Sequence, residues 1–413
     1  MRILFVADGR SPITHGWLRA WIEAGDEVHL VSTFPCERPA GLASFHILPV
    51  AFAGLGGGQA APAGSRGRVA GPVGRLRAWL RPLRYWAGPL SLPPHQARFR
   101  RLAVGIAPDL VHALRLPFEG MLAAATPPGI PLVVSIWGND LTLHARGSFL
   151  MAAWTRRTLR RAVGLLADAQ RDIRLGQEWG FSGPTLVVPG GGGIHMDEIR
   201  AAASGSGMLP EAFPDDWKLV VNPRGARPGS LRNDVFFQAI PRVLAQIPQA
   251  CFVCPPLAGE AEAERWVGRL GIAARTRLWP RLTQPQLWRL LAKAQVYVSP
   301  SVHDGTPNSL LEAMACGCFP VVGNIESMRE WVTSGVNGLL ADATDPAALA
   351  EALIAALSDP DMRRRAANEN ARLVAERADD RRCMAQARAF YERTVAGGNL
   401  LPQEQTADPS GMR

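Results

Sequence analysis

Short apolar runs separated by amphipathic stretches recur along the whole chain. Residues 3–7 are uniformly apolar and give way to Asp8, Gly9 and Pro12, the pattern of a buried strand running into a loop. Trp17, Leu18, Trp21 and Ile22 then recur at helical spacing and stop at Gly25, and 28–31 is apolar again, so the chain opens with a β-α-β unit. Further strands are predicted at 45–50, 110–113, 132–136, 164–167 and 186–188, with helical patterns between them. A second series follows, with strands at 219–222, 250–254, 277–279, 296–298, 319–322 and 338–340. These alternate with helices at 233–247, 284–294, 307–316, 346–357 and 361–376.

Strict alternation of this kind predicts an α/β protein of two Rossmann-like, doubly wound domains facing a central cleft, with ligands beyond the carboxyl ends of the strands. The stretch AAASGSG at 201–207, followed by Pro210 and Pro214, is the best linker. It divides the chain into a first domain 1–205, a second domain 206–385 and a C-terminal segment 386–413 whose last fifteen residues lack periodicity and read as disordered.

At 413 residues the chain exceeds what one hydrophobic core organises, and 47% apolar with 20% charged residues excludes disordered, collagenous and channel-like classes. The five-residue apolar run near the N-terminus is too short for a signal segment or a membrane span, and six scattered cysteines make no disulfide framework. A cytoplasmic, reducing setting is therefore expected. Cys251 and Cys254 form a CxxC, but it sits in the strand-like ACFVC without a second pair, so small buried thiols are expected in place of zinc.

The net charge is +9, and all but two of the 45 cationic side chains are arginines. Residues 38–108 contain ten arginines and no acid, a field that attracts polyanions. Within it, the Gly/Ala/Pro-rich 53–74 reads as a flexible loop, and RLRAWLRPLRYW at 75–86 interleaves arginines with aromatic and aliphatic residues. That composition in 66–101 suits peripheral contact with an anionic membrane; it also fits a surface loop with solvated arginines and tryptophans packed on the domain. Nucleic acid is not an expected partner.

The chemistry concentrates in SPSVHDGTPNSLLEAMACGCFPVVG, 299–323. After the strand 296–298, the loop ends at Gly305, Thr306 is placed to N-cap a helix, and Pro307 fits its first turn. The first amides, on Asn308, Ser309 and Leu310, then lack intrahelical partners and with the helix dipole offer a seat for phosphate. Asp304 lies just before this helix and Glu312 on the face shared with Asn308, so both can reach one ligand whose hydroxyls flank a diphosphate, as in a nucleotide sugar. The spacing alone reads equally as surface charge on an ordinary amphipathic helix.

From Asp304 through Glu312, 313–317 (AMACG), 320–322 (PVV), Glu330 and 335–340 (GVNGLL), the sequence resembles the retaining GT-B glycosyltransferases of family 4, typified by two acids with seven residues between them. The resemblance implies that Asp304, an Asp where the family has Glu, contacts the donor sugar and Glu312 the ribose, with Gly305, Thr306 and the helix amides in the donor site. It also implies cations on the donor diphosphate. Arg224 stands at the family's arginine, while the lysine position falls on Leu231, beside Arg232, with Arg227 a second substitute. In the first domain Trp137 replaces the family's histidine, which leaves Asp140 or His112 for the acceptor side, with Gly16, His15 and, more weakly, Arg10 as contacts from the first loop.

The mechanism so implied is transfer from a nucleotide-sugar donor, UDP- or GDP-linked, with retention, domain closure, and no metal or other cofactor. The acceptor class suggested at family level is a cell-envelope or polysaccharide hydroxyl. Rival readings are a nucleotide-sugar-binding protein without turnover and an epimerase or phosphorylase of the same fold. A dehydrogenase is disfavoured because neither ADGRSP nor NPRGARPG contains G-x-G-x-x-G. GGGG at 190–193 reads as a tight turn near the cleft.

Overall fold

The two series of strands form two separate sheets. In the computed structural model, which describes residues 1–51, 84–205 and 207–398, the first sheet comprises β1 (Arg2–Ala7), β2 (Glu27–Ser32), β3 (Ser44–Ile47), β4 (Leu110–Ala113), β5 (Leu132–Ile136), β6 (Gly164–Ala167) and β7 (Thr185–Val187). The second comprises β8 (Lys218–Val221), β9 (Ala250–Cys254), β10 (Thr276–Leu278), β11 (Val296–Ser299), β12 (Phe319–Gly323) and β13 (Leu339–Ala341). Spatial order is β3-β2-β1-β4-β5-β6-β7 and β10-β9-β8-β11-β12-β13, with parallel pairing throughout. Ile3, for example, lies opposite Val28 on one side and Leu110 on the other. Helices cover both faces, which is why β4, β9 and β12 are buried at every position instead of alternating.

Each sheet reverses its winding once, between β1 and β4 and between β8 and β11. The loops leaving those strands diverge there and open a crevice at the carboxyl ends. Residues 8–11 and 114–119 frame one half of the cleft; 222–232 and 300–307 frame the other.

Two boundaries differ from the sequence reading. Residues 201–204 are not linker but the end of the helix Met196–Ser204, and Ile194, Met196 and Ile199 pack in the second domain's core, so the chain changes domain before 195. Burying those three apolar side chains outweighs the weak linker signal of the alanines and serines that follow. The segment after 385 is helical as far as Gly398, within Asp380–Gly398. That helix returns to the first domain, stacking Tyr391 on Trp21 at 4.5 Å and pairing Arg388 with Asp26. Residues 399–413 and half of 66–101 (66–83) lie outside the described residues.

The GGGG run is a tight turn at the domain junction, as its composition suggests: all four residues have positive φ, and Trp17 Nε1 donates to the Gly191 carbonyl at 2.5 Å. Cys251 and Cys254 are buried thiols in β9, and burial pushes Cys251 up to about 11. Among the described residues no cluster of three or more His, Cys, Asp or Glu is arranged to hold a metal, and no helix is long and apolar enough to cross a membrane.

Candidate active site

β11 delivers the chain into the loop 300–307, and the helix Asn308–Ala315 starts at its far end. Pro307, extended at φ −69° and ψ 129°, is the cap residue. Thr306 does not cap: its hydroxyl donates to the Asp168 carbonyl at 2.5 Å and its amide to Asp168 Oδ2 at 3.2 Å, so both groups are turned toward the other domain. The Leu310 amide is also not free, because it donates to the Pro307 carbonyl at 3.0 Å in a tight first turn. Asn308 and Ser309 remain to present amides at the helix start.

Asp304 is brought against Arg224. Its carboxylate accepts from Arg224 Nη2, from Ser301 Oγ at 3.2 Å and from its neighbour Gly305 N at 3.2 Å. Arg224 Nη1 donates to Ser309 Oγ at 3.3 Å, and Tyr297 Oη lies 3.1 Å from the same hydroxyl. Arg224 is buried with its Nε lacking a hydrogen-bond partner, an orphaned charged donor at the centre of the site. Exposed Arg227 is held below the usual guanidinium range chiefly by the charge of Arg224, so two cations stand together beside Asp304.

Glu312 is buried one turn further along and accepts from the Gln284 side-chain amide. Burial pushes its carboxyl up to about 7, with the Arg224 charge opposing the shift. Arg232 stands apart from these groups: it donates to both oxygens of Asp234, at 2.8 and 2.7 Å, in a largely solvated pair.

On the first domain, His112 is a correction to the sequence reading. It is fully buried in β4 between Tyr391 Oη and Ser135 Oγ, the latter at 2.8 Å, and burial depresses it to about 3, so it touches no cleft surface. Its partner Tyr391 comes from the C-terminal helix, invisible to any local reading. Asp140 is also buried and spends its oxygens inside the domain, on Arg115 Nε at 3.0 Å and the amides of Trp137 and Leu116 at 3.1 and 3.4 Å. Trp137 is half-buried at the end of β5. His15 is exposed and reaches the Gly9 carbonyl at 2.9 Å, and a Cβ on Gly16 would meet nothing within 4 Å, so backbone is open to approach there. Arg10 forks onto Asp8 at 2.9 Å.

Two groups escaped the sequence reading. Glu119, at the carboxyl end of β4, accepts from Thr33 Oγ1 at 2.9 Å, and burial pushes it up to about 7 against the pull of Arg115. Asp168 and Arg171, just after β6, reach across the cleft to 304–306. Their only signal was position: acids and arginines directly after an apolar strand, where such sheets bind ligands.

Two parallel α/β domains meeting at the carboxyl ends of their strands make up the GT-B fold. Residues 9–191 match the family described as "Glycosyl transferase 4-like domain" and 232–373 match "Glycosyl transferases group 1", together most of the chain. The chain belongs to the group 1 glycosyltransferases. It is 28% identical over 187 residues to a D-inositol 3-phosphate glycosyltransferase of Thermobispora bispora, a match covering 43% of either chain and so less than half of that relative. In three dimensions it resembles a UDP-forming α,α-trehalose-phosphate synthase of Burkholderia xenovorans, with TM-score 0.73, 15% identity and coverage of 97% and 100% of the two chains. It also resembles Anabaena HepE in complex with UDP, with TM-score 0.65, 16% identity and coverage of 95% and 100%. At these identities the structural likeness speaks for the fold.

Proposed function

We propose that the protein transfers a sugar from a UDP- or GDP-sugar to an acceptor hydroxyl with retention of configuration, and that Asp304, Arg224 and Glu312 hold the donor. The observation that carries this reading is the buried Arg224, bridged between Asp304 and Ser309 with its Nε unpartnered, beside the start of the helix Asn308–Ala315. A departing nucleoside diphosphate develops negative charge; fixed guanidinium groups of Arg224 and Arg227 stabilise it there without a metal. Glu312, on the face of the same helix, accepts from the ribose hydroxyls when ionised. HepE, which shares the fold, is a UDP-binding protein, and this favours UDP among the nucleotides tested first.

The test is a thermal-shift screen with UDP, GDP, ADP and their glucose, mannose and N-acetylglucosamine conjugates. UDP or GDP should raise the Tm, and Arg224→Met should abolish the rise; no shift with any of them would sink the reading. Cytoplasmic residence with peripheral membrane contact is part of the same proposal. Its support is an exposed aromatic pair, Trp86 at 49% and Phe149 at 67%, in edge contact at 5.1 Å beside the arginine-rich segment. Salt-sensitive flotation with anionic liposomes, lost in Trp86→Ser/Phe149→Ser, is expected; flotation unchanged by that substitution would remove this part.

A further inference from the structure

The loop that carries Asp304 is gripped from the opposite domain. Arg171, the second residue of the helix Gln170–Glu178, is buried, and its guanidinium joins two loops of different domains. Nη2 donates to the Gly138 carbonyl of the first domain at 2.5 Å, while Nη1 donates to the Asp304 carbonyl of the second at 2.6 Å and to Ser327 Oγ at 3.3 Å. Asp172 Oδ1 holds the other edge of the fork, 3.0 Å from Nε and 2.6 Å from Nη2.

Three neighbouring contacts act on the same seam. Asp168 takes both the amide and the hydroxyl of Thr306. Ser327 Oγ donates a second bond to the Asp304 carbonyl, at 2.8 Å. The Glu330 carboxylate crosses the cleft in the other direction and accepts from the Gln170 and Arg171 amides, each at 2.8 Å, so it satisfies the start of the helix that presents Arg171.

Two glycines make the approach possible. A Cβ built on Gly138 would collide with the Gly305 amide nitrogen, and one built on Gly305 would collide with the Asp168 carboxylate. The loops therefore meet backbone to backbone, and only with glycine at both places does the guanidinium span from one carbonyl to the other.

We infer that Arg171 is a positioning residue: by pinning the Asp304 carbonyl to the first domain it makes correct placement of the Asp304 carboxylate, and of the Arg224 fork bonded to it, conditional on domain closure. This rests on the proposed donor site. The Asp304 carbonyl and carboxylate belong to one residue, so fixing the carbonyl fixes the direction in which the carboxylate leaves the backbone. With the domains apart, Arg171 retains Asp172 and Gly138, but the 304–306 loop loses Arg171 and Asp168 together. Errors of about 1 Å in such a group cost roughly 10²-fold in rate. Nucleotide binding to the second domain's own groups does not need the seam; turnover does.

The experiment compares wild type, Arg171→Gln, Arg171→Lys and Gly305→Ala. UDP affinity is measured by calorimetry, UDP release from UDP-glucose by steady-state kinetics, and amide hydrogen exchange of 303–307 by mass spectrometry. Arg171→Gln is expected to bind UDP within about threefold of wild type, to lose roughly 10- to 100-fold in kcat, and to exchange at 303–307 at least about tenfold faster. Arg171→Lys, with a single nitrogen to reach two separate carbonyls, should recover part of both losses; Gly305→Ala should reproduce them without touching the guanidinium. Unchanged kcat with unchanged exchange in Arg171→Gln overturns the inference, and so does a kcat loss without faster exchange, which would put Arg171 elsewhere in the reaction. If wild type binds neither UDP nor GDP, the donor reading has failed; the exchange measurement still decides whether Arg171 pins the loop.

Discussion

Replacing Arg224 with Met separates stability from chemistry at the centre of the site. Arg224 is buried, and Asp304 opposite it has a side chain 15% exposed. Removing one partner of a buried ion pair costs about 3–5 kcal/mol, because the other charge is left without compensation. Asp304 keeps Ser301 Oγ and the Gly305 amide and is partly exposed, so a loss below that range, about 2 kcal/mol, is expected, or roughly 4 to 8 °C in the Tm of a domain this size. Loss of a fixed donor to developing anionic charge costs turnover about 10²- to 10³-fold, or ~3–4 kcal/mol in the barrier. The double variant Arg224→Met/Asp304→Asn tells the two effects apart. Neutralising the stranded carboxylate should restore most of the stability, read by denaturant unfolding, and none of the turnover, read as nucleotide released from whichever activated sugar gives the largest thermal shift. If Arg224→Met loses stability yet turns over within about threefold of wild type, the arginine is a counter-ion for Asp304 and has no part in stabilising the leaving group.

Three further outcomes follow from the site. Glu312 is pushed up to about 7 by burial, so the folded state holds a proton that the unfolded state releases near 4.5; stability therefore falls as pH rises between those values. Glu312→Gln should remove that slope, with a gain on the order of 2 kcal/mol above pH 7, and UDP affinity measured by calorimetry, which needs the ionised acid, should lose its dependence on pH. Arg232→Ala should leave kcat within about twofold, since Asp234 already occupies its fork, whereas Arg227→Ala, beside Arg224, should lower kcat about tenfold or more; the reverse ranking would show that the cations had been misassigned. Tyr391→Phe strands the His112 ring nitrogen in the first domain's core and should cost about 1–3 kcal/mol by denaturant unfolding, with UDP affinity unchanged.

Sequence by itself determined the strands and most of the helices, because each depends on patterns a few residues long. An apolar run bounded by turn residues specifies a buried strand wherever it is placed, and the elements after β8 and β11 bring 224 and 304 to adjacent strand ends in any sheet of this winding. Only the tertiary structure decided which polar groups are already engaged. Thr306 has the chemistry of a helix cap yet bonds Asp168; His112 ends a strand at the expected place yet is sealed under Tyr391; Arg232 is a cation beside the right helix yet is taken by Asp234. Arg171 contacts the Asp304 carbonyl across 133 positions of sequence and from another domain. A local pattern records which face of an element is apolar; it holds no information about a hydrogen-bond partner supplied by the far side of a cleft, and the role of a polar side chain is set by that partner.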